Sequence, residues 1–203
     1  MAEGEGTARN KRHARTRQAI LDAAQQIIVE HGTDRLSIRE IANRIEYSPS
    51  GLYEYFRSKE EIIQELCNEG FARLSTTLRA RTTSKSPIQR LIECGIAYLE
   101  FALQYPEQYL LMFSRVPAIH LSLEEIKQDS AYGFLRQVVQ ECIDAAEIQV
   151  REHYGLDEIS YQSWALLHGI AMLRLTLFSK ESNDFDAFNR RAVEAAIESL
   201  KVR

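Results

Sequence analysis

The sequence predicts an all-α protein with a small N-terminal head and a larger C-terminal helical domain. Apolar residues recur at spacings of three and four along most of the chain, which is the period of helices packed on one face. No segment alternates apolar and polar residues as a half-buried strand would. Serine followed three residues later by glutamate, at Ser37 with Glu40 and at Ser58 with Glu61, is typical of a capped helix start. These observations favour helices joined by short turns.

The first predicted helix combines a basic N-terminal arm with an apolar face. Gly32 follows His31 at the C′ position, where a helix commonly ends. Residues 1 to 10 are polar, and we expect them to be disordered. The arm could contact a phosphate backbone or a minor groove, or it could be a solvated tail. Its cations are Arg9, Lys11, Arg12, Arg15 and Arg17.

Residues 37 to 61 carry the pattern of a helix-turn-helix. Ser37 opens a first short helix whose apolar residues lie at spacings of three and four, and residues 46 to 48 interrupt it. Ser48 is placed to cap a second helix, with Pro49 at its first position. In a helix-turn-helix, the second helix lies in the DNA major groove.

The same stretch resembles the TetR family of bacterial transcriptional regulators. The resemblance runs from about residue 15 to residue 69 and is most specific in the run LYEYFRSKE, residues 52 to 60. It implies a homodimer that binds a double-stranded DNA operator and responds to a small molecule. The chain departs from the family at Glu46, where glycine is usual, so a residue with a Cβ must take the turn conformation at a cost of about 1 kcal/mol. Glu54 could accept a hydrogen bond from cytosine or point into solvent.

The candidate DNA-binding residues are Arg15 of the arm, Ser37 at the start of the first short helix, and three further groups. Small or exposed residues at the start of the second helix could approach base edges, and the absence of a Cβ at Gly51 could allow close backbone approach. Two tyrosines match phosphate-contacting positions of the family, although both could instead be partly buried core residues. A lysine at the next helix start adds a cation where the helix dipole favours phosphate. The full set is Arg15, Ser37, Tyr47, Ser48, Pro49, Ser50, Gly51, Tyr53, Tyr55 and Lys59.

The domain organisation follows from a polar linker after the long helix that begins near Ser58. We expect a DNA-binding domain over 11–60, a connecting helix and linker over 61–86, and an effector-binding and dimerisation domain over 87–203. Ser122 with Glu125 predicts the start of a helix that runs to about His153. The last two helices, predicted at about 157–179 and 185–201, could form a four-helix bundle across a two-fold axis or bury their apolar faces within one chain.

The effector-binding residues are implied by the resemblance and are not fixed by spacing. The run Trp164-Ala-Leu-Leu-His168-Gly169 resembles the Trp-x-x-x-His-Gly signature of one subgroup of the family. Each aromatic residue could equally be plain core, and His168 could be a hydrogen-bonded structural histidine. The candidates are Met112, Phe113, His120, Tyr132, Trp164 and His168.

Charge and motifs separate the remaining classes of function. The net charge is −4, yet residues 9–59 carry ten Lys/Arg against six Asp/Glu, and residues 60–203 carry fifteen against twenty-one. A basic head on an acidic body is typical of a protein that docks DNA at one end. No catalytic or metal-binding motif is present, and we expect no enzyme activity and no cofactor. The three unpaired-looking cysteines and the lack of a signal or membrane segment favour a cytoplasmic protein. A constitutive DNA-binding protein or an activator without a ligand is the main alternative.

Overall fold

The computed structural model describes residues 3–114, 129–181 and 185–201. Within these ranges the chain forms nine α-helices, one 3-10 turn and two isolated β-bridges, which confirms the predicted all-α class. The described residues fall into two compact units. One unit holds residues 3–70 and 110–114, and the other holds residues 71–109, 129–181 and 185–201.

The first unit is a small helical head with its own apolar core. The core side chains come from every helix of the head, and Ile20, Ile41, Leu52 and Phe56 are at most 1% exposed. The helices are α1 (Glu3–His31), α2 (Ile38–Arg44), α3 (Pro49–Leu52) and α4 (Lys59–Arg81). Residues 71–81, the C-terminal part of α4, belong to the second unit.

Local sequence signals place the ends of these helices. Gly32 has φ 78° and donates its N–H to Ile28 O at 2.8 Å, so α1 ends where the sequence predicts. The Ser37 hydroxyl accepts a hydrogen bond from Glu40 N at 3.1 Å. The Ser58 hydroxyl accepts one from Glu61 N at 3.3 Å. Side-chain caps of this kind typically stabilise a helix by about 1 kcal/mol.

The start of α1 differs from the sequence prediction. Residues 3–10 are helical, whereas the sequence led us to expect disorder over 1–10. The physical reason is propagation: once a helix is anchored further along, each added residue gains one backbone hydrogen bond, which here outweighs the weak helix propensity of Gly4 and Gly6. The anchor is packing that starts with Ile20, which is fully buried.

The second unit packs its helices around another apolar core. The helix α5 (Pro87–Gln104) contacts α7 (Ala131–Asp144), α8 (Leu156–Leu175) and α9 (Phe185–Glu198). A short helix, α6 (Pro106–Ser114), starts in this unit and ends in the first. No helix in the described ranges is long and apolar enough to cross a membrane.

The helix predicted over 122–153 is wrong at its C-terminal end. Its expected start at Ser122 and Glu125 lies outside the described residues. The described helix α7 is capped by Ser130, whose hydroxyl accepts from Gly133 N at 3.0 Å, and it ends at Asp144. Ala146 has φ 56°, which cannot continue a right-handed helix. Ile148 then forms an isolated bridge with Lys201, so tertiary pairing ends this helix early.

The polar segment before α5, residues 82–86, is held in place by hydrogen bonds to side chains of α5. Glu93 accepts hydrogen bonds from the N–H groups of Thr83 and Ser84, both at 2.9 Å. Arg90 donates to Thr82 O at 3.2 Å and pairs with Glu141 at 2.8 Å. The predicted linker is therefore held against α5, within the second unit.

Candidate DNA-binding site and aromatic cluster

The turn between α2 and α3 has the strained geometry that its sequence demands. Glu46 has φ 54°, the left-handed conformation in which a residue with a Cβ costs roughly 1–2 kcal/mol. Tyr47 N donates to Ala42 O at 2.9 Å and closes the turn. The helix α3 comprises only the four residues Pro49–Leu52, and Phe56 N then donates to Leu52 O at 3.0 Å. The head therefore presents a single helical turn followed by tight turns.

The side chains at the start of α3 divide into caps and exposed groups. The Ser37 and Ser48 hydroxyls are already used as helix caps, the latter accepting from Gly51 N at 3.0 Å. Pro49 and Ser50 are exposed, and Ser50 lies within hydrogen-bond distance of Ser48, at 3.2 Å between hydroxyl oxygens. These serines therefore shape the helix start as well as facing solvent.

Two of the three candidate tyrosines are strongly exposed. Tyr53 is 56% exposed and Tyr47 is 39% exposed, whereas Tyr55 is half-buried. The Tyr55 ring lies 4.6 Å from the His13 ring and 6.2 Å from the Tyr47 ring, measured between centroids. Tyr55 thus joins the arm to the turn, a role that the sequence did not indicate.

The candidate cations also separate into two kinds. Arg15 is exposed and Lys59 is half-buried at the first position of α4. Arg17 instead pairs with Glu65 at 3.0 Å, and its guanidinium lies 4.7 Å from the centre of the Phe56 ring. Arg17 therefore belongs to the packing of the head, although the sequence placed it in a free basic arm.

The sequence interpretation of Gly51 does not match the space around it. A Cβ built on Gly51 would lie 2.7 Å from Cε1 of Tyr47 and 3.0 Å from the Ser48 hydroxyl oxygen. The side of Gly51 that lacks a Cβ is therefore occupied by a neighbouring ring, where we expected room for DNA.

The second unit contains a connected group of aromatic and polar side chains, which we call the aromatic cluster. The Tyr98 and Tyr109 hydroxyls are 2.8 Å apart, and the Tyr109 hydroxyl is 2.8 Å from Nδ1 of His168. Trp164 packs edge-on against Tyr98 at 4.9 Å and Tyr132 at 5.4 Å. Tyr98 and Tyr109 were not among the sequence candidates, because they match ordinary core positions of a helical pattern.

Burial controls the protonation of this cluster. Desolvation lowers the pKa of His168 below its ordinary value and raises the pKa of Tyr98 and Tyr109. The imidazole is thus a neutral hydrogen-bonding group, as the structural interpretation of His168 anticipated. The hydroxyl of Tyr132 is buried, and no group in the described part of the chain forms a hydrogen bond with it.

Two of the other candidate ligand residues lie on α6. Met112 is buried and Phe113 is half-buried, and both fall in the first compact unit. His120 lies outside the described residues. Among the residues that the structure describes, no three His, Cys, Asp or Glu side chains come together as a metal site.

This head defines a helical DNA-binding protein of the helix-turn-helix class. Residues 20–66 match the family described as bacterial regulatory proteins, tetR family. Residues 91–196 match the family described as the tetracycline repressor-like C-terminal domain. The chain belongs to the TetR family, whose members are transcriptional regulators.

Individual proteins resemble this chain in sequence or in fold. The HTH-type transcriptional regulator YobS of Bacillus subtilis is 24% identical over 159 residues, which cover 78% of each chain. A solved protein from Rhodococcus sp. RHA1 superposes with a TM-score of 0.78 at 22% identity, covering 92% of this chain and 95% of that one. RolR in complex with resorcinol superposes with a TM-score of 0.66 at 15% identity, covering 96% and 91%. The two solved structures establish likeness of fold.

Proposed function

We propose that this regulator is a repressor that binds a palindromic operator as a homodimer and is released by a small-molecule effector. The observation that carries the proposal is the exposed face of the helix-turn-helix, which sits in a segment of net charge +4 over residues 9–59. Tyr47 and Tyr53 expose large apolar rings to solvent there. Exposed aromatic and basic groups around a reading helix suit a DNA duplex.

The residues of the head receive different roles. We assign phosphate contacts to Tyr53, Arg15 and Lys59. Tyr53 is an exposed tyrosine directly after α3, Arg15 is an exposed cation of α1, and Lys59 is a cation at the first position of α4. Ser50 and Tyr47 are placed as groups that approach base edges. Ser37 and Ser48 act as caps, and Tyr55 supports its neighbours by ring contact.

Exposed apolar side chains support dimerisation through α8 and α9. Six of the ten large hydrophobic residues exposed in the described ranges lie on these helices or just after α8. α8 also buries Ile159 and Leu167 inside the unit, so it is apolar on both sides. Such a helix is normally covered on both sides, and a second copy is the natural cover. The six residues are Tyr161, Leu166, Leu173, Leu177, Phe178 and Phe188.

The aromatic cluster supports an effector site in the second unit. An unpartnered buried hydroxyl costs roughly 1–3 kcal/mol, and a ligand group could satisfy the one on Tyr132. Trp164 beside it offers an apolar wall, and His168 a neutral polar group. The effector would shift the population toward a dimer whose heads no longer match the operator. We also propose the Trp-x-x-x-His-Gly subgroup for this unit, and the cytoplasm as the site of action.

Selection of bound duplexes from a random-sequence pool at moderate salt tests the proposal. We expect a palindrome whose half-sites are about one helical turn apart, because two heads related by a two-fold axis read the same face of the duplex. A site without two-fold symmetry would refute the dimeric arrangement. Failure to enrich any sequence would refute the operator function.

Replacing Tyr53 and Lys59 together tests the phosphate contacts. Affinity should fall on the selected duplex and on unrelated duplexes alike, and the slope of log K against log salt should flatten by about one for the lost lysine contact. Lys85→Ala is the matched control, because Lys85 is an exposed lysine of the second unit. An unchanged slope in the Tyr53/Lys59 variant would remove the assignment.

A fragment screen followed by thermal shift tests the effector site. Small aromatic compounds with one polar group should raise the melting temperature of the protein and weaken operator binding. Both effects should be reduced in Tyr132→Phe, which lacks only the hydroxyl. If no compound binds, a constitutive regulator becomes the better description.

A further inference from the structure

The ring of Tyr47 occupies the space left by the missing side chain of Gly51. Cε1 and Cδ1 of Tyr47 would lie 2.7 and 3.0 Å from a Cβ at position 51. Such distances are too short for two carbon atoms, so any larger residue at 51 would displace the ring. Ser48, which caps α3, forms another side of the same space.

The Tyr47 ring has a neighbour on a second side as well. Tyr55 lies beside it, and Tyr55 is the largest of the causes that raise the pKa of Tyr47. The Tyr55 ring stands edge-on to Tyr47 and lies tilted by 30° against His13 of α1. Arg12 and Glu54 are the charged groups that act on the Tyr47 hydroxyl. We call His13, Tyr55 and Tyr47 the aromatic column.

This arrangement fixes the Tyr47 ring and leaves part of it open to solvent. The ring lies against Gly51 and stands edge-on to Tyr55, and the side chain remains 39% exposed at the entry to α3. A ring held in this way presents its carbon atoms to the groove as an apolar contact. The C5 methyl of thymine is the apolar group that the major groove displays.

We propose that Tyr47 determines specificity by packing against a thymine methyl in each half-site, and that position 51 must be glycine because of Tyr47. The inference rests on the proposed operator function and deepens it. The role of Gly51 is then to leave space for the Tyr47 ring, and its backbone does not approach DNA. Tyr55 and His13 are positioning residues that keep the ring in place.

Thymine-to-uracil replacement in the selected duplex removes only the methyl group and isolates this contact. One position in each half-site should weaken binding by about fourfold when thymine becomes uracil, which is the effect of about one buried methyl group. Tyr47→Ala should bind the thymine and uracil duplexes equally. Tyr53→Ala is the control, and it should weaken binding overall while keeping the uracil effect.

Gly51→Ala tests whether the Tyr47 ring needs the space left by the missing side chain at position 51. The variant should lose the uracil effect through displacement of the ring, whereas its melting temperature should hold or rise because alanine favours helix over glycine. The variant with both Tyr47→Ala and Gly51→Ala should bind no worse than Tyr47→Ala alone. Independent losses that multiply, or a uracil effect that survives in Gly51→Ala, would overturn the proposal.

One spectroscopic measurement separates this inference from the operator function. The amide proton of Gly51 should carry a ring-current shift in its NMR spectrum that disappears in Tyr47→Ala. If the wild-type protein enriches no duplex, the operator function and the thymine contact are both refuted. The ring-current shift still tests whether the Tyr47 ring packs against Gly51. If a duplex is enriched but no thymine methyl matters to it, only the inference fails.

Discussion

The hydroxyl chain of the aromatic cluster predicts that removing its middle member is more damaging than removing its end. Tyr98 and Tyr109 are 1% and 0% exposed, and Tyr109 bridges Tyr98 and His168 with two 2.8 Å contacts. Tyr98→Phe deletes one hydrogen bond and leaves Tyr109 bonded to His168. Tyr109→Phe deletes both bonds and leaves the buried hydroxyl of Tyr98 without its hydrogen-bond partner.

The magnitudes follow from the number of bonds and orphaned groups. A buried hydrogen bond contributes about 1 kcal/mol net, and an orphaned hydroxyl costs about 1–3 kcal/mol. Tyr98→Phe should therefore lower the free energy of unfolding by about 1 kcal/mol, and Tyr109→Phe by about 3 kcal/mol. The double variant carries no orphaned Tyr98 hydroxyl, so it should be no less stable than Tyr109→Phe.

Urea unfolding of the wild-type protein and the three variants at one protein concentration measures this cycle, because the apparent stability of any protein that associates depends on concentration. The sum of the two single losses in free energy of unfolding should exceed the loss in the double variant. The difference, which is the coupling energy between the two tyrosines, should be about 1 kcal/mol or more. Strictly additive losses would refute the hydrogen-bonded chain. So would a larger effect for Tyr98→Phe than for Tyr109→Phe.

Three further predictions concern single features. Burial lowers the folded-state pKa of His168 below 6.5, so the folded protein binds fewer protons than the unfolded chain; stability should fall as the pH drops below about 6.5, and His168→Gln should flatten that slope in urea titrations between pH 7 and 5. Glu46→Gly should raise the free energy of unfolding by roughly 0.5–1 kcal/mol by relieving φ 54°, whereas Glu46→Ala should give no such gain. Burial raises the pKa of all three thiols, Cys67, Cys94 and Cys142, and brings that of the last two to about 12. A thiol reagent at pH 8 should therefore label none of them in the folded protein and all of them in urea, and rapid labelling of the native chain would contradict their burial.

The elements that sequence predicts well are those fixed by a few neighbouring residues. Helix starts at Ser37 and Ser48 depend on a hydroxyl three residues from the N–H that it accepts. The strain at Glu46 follows from its place in a turn that ordinarily requires glycine. Local interactions of this kind can be predicted without knowing what the segment packs against.

Features that depend on distant residues could not be predicted in this way. The end of α7 at Asp144 is set with the help of a bridge between Ile148 and Lys201, which are far apart in sequence. The sequence predicts that Arg17 is a free cation, because its partner Glu65 lies on another helix. It also predicts open space beside Gly51, because the orientation of the Tyr47 ring depends on tertiary packing.

The fastened segment before α5 constrains how this protein could be recombined with its relatives. Residues 82–86 look like a convenient place to exchange one C-terminal half for another, yet their backbone is bound by Glu93 and Arg90 of the half being replaced. A chimera joined there would keep the segment and lose its partners. A crossover inside α4, near the boundary at residue 70, would transfer the helix end, the segment and its partners as one inherited piece.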